Sequence, residues 1–127
     1  MTTTTTTAGP TFVSFQVRDT NASASFYEDV VGMHRLPVPN PAAVVFSAGG
    51  GVSFAVRDPF PGVDLDAGPL GTGIGVWFHN PDTAELHARL VAAGVPIVQE
   101  PFAGPFGLQF AFRDPDGYVV TVHSDAS

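Results

Sequence analysis

The segment AFRDPDGYVVTVH (residues 111–123) places two groups capable of chemistry on one predicted strand. Aromatic and β-branched runs flank the turn DPDG, so the segment predicts a hairpin. Side chains alternate across a strand, which puts Thr121 and His123 on one face and the apolar Tyr118, Val120 and Val122 on the other. The first face therefore offers a hydroxyl and an imidazole to a ligand, a metal or a substrate.

A metal is one possible partner, because His79 ends a second alternating segment, GVWFHN, and is predicted to face the same side as His123. A catalytic divalent metal needs about three imidazole, thiolate or carboxylate ligands. No third ligand is evident, and the chain contains no cysteine. The alternative is that both imidazoles hydrogen-bond solvent or a ligand, and a register slip of one residue would move them to the other face. Asp114 and Asp116 are expected to stabilise their turn, and residues 49–51 (GGG) are expected to form a hairpin turn.

Composition excludes several classes of partner. The 127 residues are 44% hydrophobic and 13% charged, which is typical of one compact domain or two closely joined halves. The net charge of −7, with five arginines and no lysine, argues against nucleic acid and against anionic membranes as partners. The N-terminus has neither a basic region nor an apolar stretch, so we expect no signal peptide or membrane anchor and, by default, a cytoplasmic location.

Each half of the chain has the same predicted order of elements, one strand, one helix and three strands. The first helix lies in NASASFYEDVVGM, where Ala22, Phe26 and Val30 recur at helical spacing, and the second begins at a capping box formed by Asp82 and Glu85. The strands are predicted at residues 12–17, 33–38, 42–47 and 52–56, and again at residues 75–80, 95–100, 108–113 and 118–123. We interpret this pattern as an internal duplication.

The duplication predicts an α+β fold made of two βαβββ modules that form a cupped mixed sheet. Residues 1–10 are expected to be a disordered tail, residues 11–57 the first module, residues 58–73 a Pro/Gly-rich linker and residues 74–124 the second module. Each helix should cover one face of its sheet, and the alternation assigns to the covered faces Val13, Phe15, Val17, Val76 and Phe78.

The uncovered faces are the predicted binding surface. They carry Phe12, Ser14 and Gln16 in the first module, and Gly75, Trp77 and His79 in the second. Two half-sheets curled against each other would form a cleft between these faces. Aromatic side chains with a few hydrogen-bonding groups suit a flat polycyclic ligand, although Trp77 could equally pack in the core or at a dimer interface. The candidate ligand-binding residues are Phe12, Ser14, Gln16, Phe60, Trp77, His79, Phe102, Phe106, Gln109, Thr121 and His123, with the three phenylalanines 60, 102 and 106 in loops at the rim.

The stretches FQVRDTNASASFYEDVVGM, DTAELHARLVAAGVPIVQEPF and GLQFAFRDPDGYVV resemble the vicinal oxygen chelate superfamily, which contains glyoxalases, extradiol dioxygenases and bleomycin-resistance proteins. The resemblance extends from about residue 12 to residue 123. It implies paired βαβββ modules around a cupped site, usually in a homodimer. The positions at which the superfamily's enzymes hold their metal fall on Phe12, Gly75 and Thr121, with a fourth near Ser53 or Ala55. The resemblance therefore implies a member with neither a metal nor another cofactor.

Two functions follow from these expectations. The first is a metal-independent binding protein, similar to the bleomycin-resistance type, which sequesters an aromatic or conjugated antibiotic in a homodimer and so gives self-resistance. The second is an enzyme of the superfamily, a lyase, isomerase or dioxygenase, with an atypical metal site or with His79 or His123 as acid–base catalyst. The modules could pair within one chain or be exchanged between two chains.

Overall fold

The computed structural model describes residues 5–47 and 51–125, and it contains two four-stranded sheets. The first sheet has the strand order β1-β4-β3-β2, with β1 at Phe12–Gln16, β2 at His34–Arg35, β3 at Ala43–Ser47 and β4 at Ser53–Arg57. The second has the order β5-β8-β7-β6, with β5 at Trp77–His79, β6 at Ile97–Gly104, β7 at Gly107–Arg113 and β8 at Val119–His123. In each sheet the first strand pairs in parallel with the last, and the other pairs are antiparallel. The predicted α+β class and two-module architecture are confirmed.

Two helical segments accompany the sheets. Helix α1 (Thr20–Ser25) begins at Asp19, whose carboxylate accepts the Ala22 N–H at 3.0 Å, and it continues directly into a π-helical segment at Phe26–Val31. Helix α2 spans Thr83–Ala92. Neither of them, in the part of the chain that the structure describes, is long and apolar enough to cross a membrane. The expected tail at residues 1–4, and positions 49–50 of the expected glycine turn, lie outside the described residues.

The buried face of the first helical segment differs from the predicted one. Ala22 is exposed, whereas Ala24, Tyr27 and Val31 are buried. Ala24, Tyr27 and Val31 also recur at helical spacing, so the pattern contains two neighbouring apolar faces, and Phe26 and Val30 of the predicted one pack at the margin of the core. Burial of Tyr27 is possible because its hydroxyl has a buried acceptor.

The start of α2 also differs from the prediction. The carboxylate of Asp82 makes no capping hydrogen bond, so no capping box forms. Asn80 takes this role, since its side-chain oxygen accepts the Asp82 N–H and its carbonyl accepts the Thr83 hydroxyl. Glu85 instead pairs with Arg89 at 3.0 Å, one helical turn away.

The covered faces of both sheets contribute to one hydrophobic core, as the strand alternation predicts. Phe15 and Val17 are buried, and Val13, Val76 and Phe78 pack against the core. The two sheets meet at aromatic rings, because Phe54 of the first sheet and Phe78 of the second lie 5.2 Å apart edge to face. The opposite surface of each sheet, here called its open face, remains outside this core.

Polar contacts hold the two sheets together at the DPDG turn. The Asp114 carboxylate accepts the N–H groups of residues 116, 117 and 118, each at 2.9 Å, which confirms its predicted role in the turn. Its second oxygen accepts the Tyr27 hydroxyl from the first half at 2.7 Å. Burial raises the pKa of Tyr27 well above its ordinary value, and the neighbouring Asp114 acts in the same direction. Burial also raises the pKa of Asp114, against the opposing effect of its hydrogen bonds.

A second set of polar contacts joins helix α2 to the π-helical segment of the first half. The Arg89 guanidinium of α2 donates to the carbonyls of Val30 and Val31 at 2.8 and 3.1 Å, where the π-helical segment ends. Gly32 follows with a φ of 90°, and a Cβ at this position would lie 2.9 Å from an Arg89 nitrogen. A side chain here would therefore disturb both the turn and the contact between the halves.

Candidate ligand-binding site

The open faces of the two sheets have the same backbone register. In the first sheet Gln16 lies opposite Arg57, and in the second His79 lies opposite His123. The next hydrogen bond along each ladder is also equivalent, since the N–H groups of residues 17 and 80 donate to the carbonyls of Arg57 and His123, both at 2.9 Å. Side chains at these positions can therefore be compared directly.

On the open face of the second sheet, four rings form what we call the aromatic–imidazole cluster. Trp77 lies 5.6 Å from Phe106 and 6.0 Å from His123, measured between ring centroids. His123 lies 5.6 Å from His79 and 5.9 Å from Phe106. Trp77 is 48% exposed although it is the largest side chain of the cluster. The cluster thus presents an indole surface to solvent above buried polar groups.

Two of these buried polar groups lack a partner. His123 is 8% exposed and Gln109 is 9% exposed, and the two residues lie opposite each other on β8 and β7. His123 Nδ1 and Gln109 Oε1 are both buried without a hydrogen bond among the described residues. A buried polar atom without a partner costs about 1–3 kcal/mol, so such a pair is a feature to be explained by a ligand or by water.

The remaining predicted residues of the second half surround the cluster. Thr121 is half-buried and lies opposite Trp77, and Phe102 is exposed opposite Gln109. Phe102 belongs to β6, so its prediction as a loop residue is wrong: the strand continues to a tight turn before Gly107. Phe106 does lie in that turn. The Nε2 atom of His79 already has a partner, the carbonyl of Ser124 at 3.2 Å.

The predicted residues of the first half lie on the other sheet. Phe12 is 53% exposed, Ser14 is exposed, and the Gln16 side-chain oxygen accepts the Phe60 N–H at 2.7 Å. Arg57 stacks on the Phe60 ring with its guanidinium carbon 3.8 Å from the ring centroid. We find no contact between this group and the aromatic–imidazole cluster within the described chain. Arg57 was missed in the sequence, although it continues the open-face alternation of Ser53 and Ala55.

Within one chain, the cleft between the halves does not lie between the two open faces. A cavity of about 780 Å³ lies there, and its lining includes Val13, Phe54, Val76 and Phe78 of the covered faces. Only Trp77, His79 and His123 of the predicted site residues border it. Since β5 is an edge strand, both of its faces reach this cavity. The two open faces do not close on each other within one chain, because the halves associate through their covered faces and helices.

The donor set does not fit a catalytic metal. The positions that the resemblance assigns to the superfamily's metal ligands carry a phenyl ring at Phe12, no side chain at Gly75 and a hydroxyl at Thr121, with Ser53 or Ala55 at the fourth. None of these is an imidazole or carboxylate. In residues 5–47 and 51–125, no group of three His, Asp or Glu side chains is arranged to hold a metal ion. His79 and His123 remain a pair of imidazoles without a third ligand.

The other two histidines have different surroundings. His34 is exposed, and it borders the cavity between the halves. His87 is half-buried and packs edge to face on Phe110 with 5.2 Å between centroids. Its Nε2 atom lies 3.5 Å from a Glu100 oxygen. Neither residue joins the aromatic–imidazole cluster.

Comparison with known proteins agrees with this architecture. A search of curated protein sequences finds no match. Among solved structures, an antibiotic binding protein from Streptomyces sp. CB03234 is 27% identical, with a TM-score of 0.73 over 94% of this chain and 98% of that one. A glyoxalase/bleomycin resistance protein from the same organism is 28% identical, with a TM-score of 0.72 over 91% and 99%. A lactoylglutathione lyase from Agrobacterium tumefaciens shares the fold at 20% identity and a TM-score of 0.63, over 92% and 93%.

The family model agrees with the structural neighbours. The model described as the Glyoxalase/Bleomycin resistance protein/Dioxygenase superfamily matches residues 9–122, which include both sheets and both helical segments. The chain therefore belongs to the glyoxalase/bleomycin resistance protein/dioxygenase superfamily.

Proposed function

We propose that the protein is a metal-independent binding protein that sequesters an aromatic or conjugated antibiotic and thereby gives self-resistance. The observation that carries this proposal is the half-exposed Trp77 ring, held next to Phe106 and above the unpartnered nitrogen of His123. Large aromatic surfaces and a few convergent polar groups are the usual composition of small-molecule sites. Capture requires no bond breaking, so affinity and burial of the reactive part of the drug are what protect.

The geometry of the cluster favours a flat ligand. An incoming ring can stack on the indole of Trp77 while the Phe106 ring, inclined at 77° to the indole, contacts its edge. A polar substituent on that ring would reach the buried Nδ1 of His123 after a shift of the neighbouring rings. Gln109 Oε1 lies close to Gly104, where an added Cβ would approach it to 2.6 Å.

The similarity to an antibiotic binding protein supports the same reading. That protein is 27% identical over nearly the whole chain, whereas the lyase is 20% identical. The loss of all three imidazole or carboxylate donors at the superfamily's metal positions points in the same direction. Residues that occupy these positions here, Phe12, Gly75 and Thr121, add apolar surface, space and a hydroxyl to the site.

The second candidate function is acid–base catalysis. The observation that favours it is the pairing of His79 and His123, whose rings lie 5.6 Å apart beside the same aromatic surface. An imidazole can accept or donate a proton near neutral pH, so two of them could serve a lyase or isomerase. His79, however, is already bonded to the Ser124 carbonyl.

The fate of the ligand distinguishes the two functions. We would mix chelator-treated protein in molar excess with mitomycin, bleomycin or an enediyne, remove free compound by rapid gel filtration, and denature the complex before mass analysis. Capture predicts that at least one of these compounds is retained and recovered with unchanged mass. Conversion to a new product over many turnovers would contradict capture and support the enzyme.

We further propose a homodimer in which the open face of the first sheet of one copy covers that of the second sheet of the other. Both faces carry large exposed apolar side chains, namely Phe12, Trp77, Phe102 and Phe106. Within one chain the shared core separates these faces, so they can meet only between two copies. Each module of one chain would then face the other module of the second chain. Sedimentation velocity is expected to give the mass of two chains, and a monomer at high micromolar concentration would contradict this arrangement.

A further inference from the structure

We propose that Arg57, Phe60 and Gln16 form a subsite, on the open face of the first sheet, for a planar ring that carries an anionic oxygen such as a carboxylate. All three residues come from one chain, but the proposed homodimer would place this face against the aromatic–imidazole cluster of the second copy, so the inference rests on the proposed function and adds an anionic group to its ligand. Its ligand chemistry also differs, because here the protein supplies a positive charge.

The first argument is the absence of a charge partner for Arg57. Arg18, Arg35 and Arg89 each lie within salt-bridge distance of a carboxylate. No carboxylate side chain lies within 4.0 Å of Arg57 in the described part of the chain, and the remaining residues contain no Asp or Glu. Acidic side chains outnumber arginines in the protein, whose net charge is −7, and Arg57 nevertheless forms no ion pair with any of those in the described residues.

The second argument is that the Arg57 side chain is held in place. Its Nε donates to the Asp58 carbonyl at 3.0 Å, and its guanidinium carbon lies 3.8 Å from the Phe60 ring centroid. The Phe60 backbone is fixed in turn by its N–H bond to the Gln16 side chain at 2.7 Å. A guanidinium carries five N–H donors in a planar fork, and only the one on Nε has an acceptor within the described residues. The four donors on the terminal nitrogens are therefore available in a fixed orientation.

The third argument concerns the ligand that these groups fit. A carboxylate accepts two parallel N–H bonds from a guanidinium, and such charge-assisted pairs are stronger than neutral hydrogen bonds. The exposed part of the Phe60 ring offers an apolar contact to the ring that bears the carboxylate. Gln16 adds its amide nitrogen as a further donor, since only its oxygen is used by Phe60. A cationic ligand would be repelled, and a neutral one would keep only the weaker contacts.

Arg113 provides the matched control. It also lacks a carboxylate within 4.0 Å in the described residues, but its side chain is exposed and bonded to the Gly117 carbonyl at 3.0 Å. No aromatic ring lies beneath its guanidinium within residues 5–47 and 51–125. If unpaired charge alone attracted anions, Arg57 and Arg113 would behave alike.

The experiment is a ¹H–¹⁵N NMR titration with 2-naphthoate as the probe and 2-naphthamide as its neutral counterpart, at constant pH and ionic strength. We expect naphthoate to shift the Arg57 Nε–H and Phe60 N–H resonances saturably, and naphthamide to bind at least tenfold more weakly. Arg57→Gln should lower the affinity for naphthoate at least tenfold, as judged from Phe60, and Arg113→Gln should change it less than twofold. Arg57→Lys keeps the charge without the planar fork and should give an intermediate affinity.

Three results would overturn the proposal: no shift at Arg57 or Phe60, equal shifts with naphthamide, or unchanged Phe60 shifts in Arg57→Gln. The dispersion of the spectrum reports whether each variant is folded, and Arg57→Lys provides a second test if Arg57→Gln is not. The readout does not involve Trp77, and a neutral aromatic compound would still be captured if the Arg57 contact failed, so failure here is distinguishable from failure of the proposed capture function.

Discussion

Gln16 and Arg57 in the first sheet occupy the ladder positions that His79 and His123 occupy in the second. One step along, Ser14 lies opposite Ala55 where Trp77 lies opposite Thr121. The backbone hydrogen bonds at the end of these ladders have the same length, so the difference between the faces lies in the side chains. The first face presents a small hydroxyl and a positive charge, and the second presents an indole and imidazoles. The strand register fixes where the open-face side chains lie in both modules, but the residue types at these positions can differ. A duplicated scaffold can therefore bind different chemical groups on its two open faces.

The most severe test of this comparison is the removal of Trp77. Trp77→Ala is expected to weaken binding of an aromatic antibiotic by about thirtyfold or more, since a stacked indole is worth about 2–3 kcal/mol of buried area and ring contact. The control is Val91→Ala, which removes an equally exposed apolar side chain from helix α2, outside both open faces, and should cost less than about threefold on the same scale. Isothermal titration calorimetry measures both. Equal losses would mean that Trp77 is not a principal contact of the ligand.

A second test concerns the buried hydrogen bond between Tyr27 and Asp114, which joins the two halves of the protein. Tyr27→Phe leaves the buried Asp114 oxygen without its donor, so the free energy of unfolding should fall by about 1–3 kcal/mol at neutral pH. Folding raises the pKa of Tyr27 above 10.0, so the native state keeps a proton that the unfolded chain loses, and stability falls as pH rises above that value. Tyr27→Phe should therefore lose less stability than the parent between neutral and alkaline pH.

Urea denaturation at several pH values measures this effect. Tyr118→Phe is the control, because the Tyr118 hydroxyl donates to a backbone carbonyl, that of Gln16, rather than to a buried carboxylate. A smaller destabilisation is expected for it. If both variants have the same stability and the same pH dependence as the parent, the hydrogen bond between Tyr27 and Asp114 does not contribute significantly to stability.

A third test concerns how closely the β6–β7 hairpin packs at the open face of the second sheet. A Cβ at Gly104 would lie 2.6 Å from Gln109 Oε1, so Gly104→Ala should displace that side chain and cost about 1–2 kcal/mol. At Gly75 the added Cβ would meet the Trp77 ring nitrogen at 3.5 Å, an ordinary contact, so Gly75→Ala should leave the melting temperature nearly unchanged. Differential scanning calorimetry compares the two. A Gly104→Ala protein as stable as the parent would show that Gln109 moves without cost.

The smallest effect is expected at His79. Its Nε2 is already bonded to the Ser124 carbonyl, so His79→Ala should reduce antibiotic affinity by about threefold or less, corresponding to less than about 0.7 kcal/mol. Titration by calorimetry again measures this. A loss larger than that of Trp77→Ala would reverse the assignment and favour the imidazole pair as the principal functional group.

Much of the fold follows from local pattern. The alternation of apolar residues assigns Phe15, Val17 and Phe78 to the core side, and the DPDG turn predicts the bonding of Asp114, because both depend on neighbours in sequence. The burial of Tyr27 on the first helical segment does not follow, since its hydroxyl is paired with Asp114, 87 residues away. Phe102 was placed in a loop because Gly and Pro surround it, yet pairing with β7 extends the strand through it.

The site is only partly predictable for the same reason. Strand phase places Trp77, His79 and His123 on one face, and the structure brings their rings together with Phe106. How the halves associate is a matter of long-range packing, so the sequence left open whether the open faces close on each other within one chain or between two. Arg57 could have been found, because it continues the alternation of Ser53 and Ala55, but its stacking on Phe60 depends on the path of the following loop.

The central claim is that the second open face captures an aromatic compound without a metal. The most direct measurement is a fluorescence titration of chelator-treated protein with mitomycin, bleomycin and an enediyne, because Trp77 is the only tryptophan in the chain. The account predicts saturable quenching by at least one compound, at one ligand per chain and without added metal. No response to any of them, followed by binding or turnover once divalent ions are added, would contradict it.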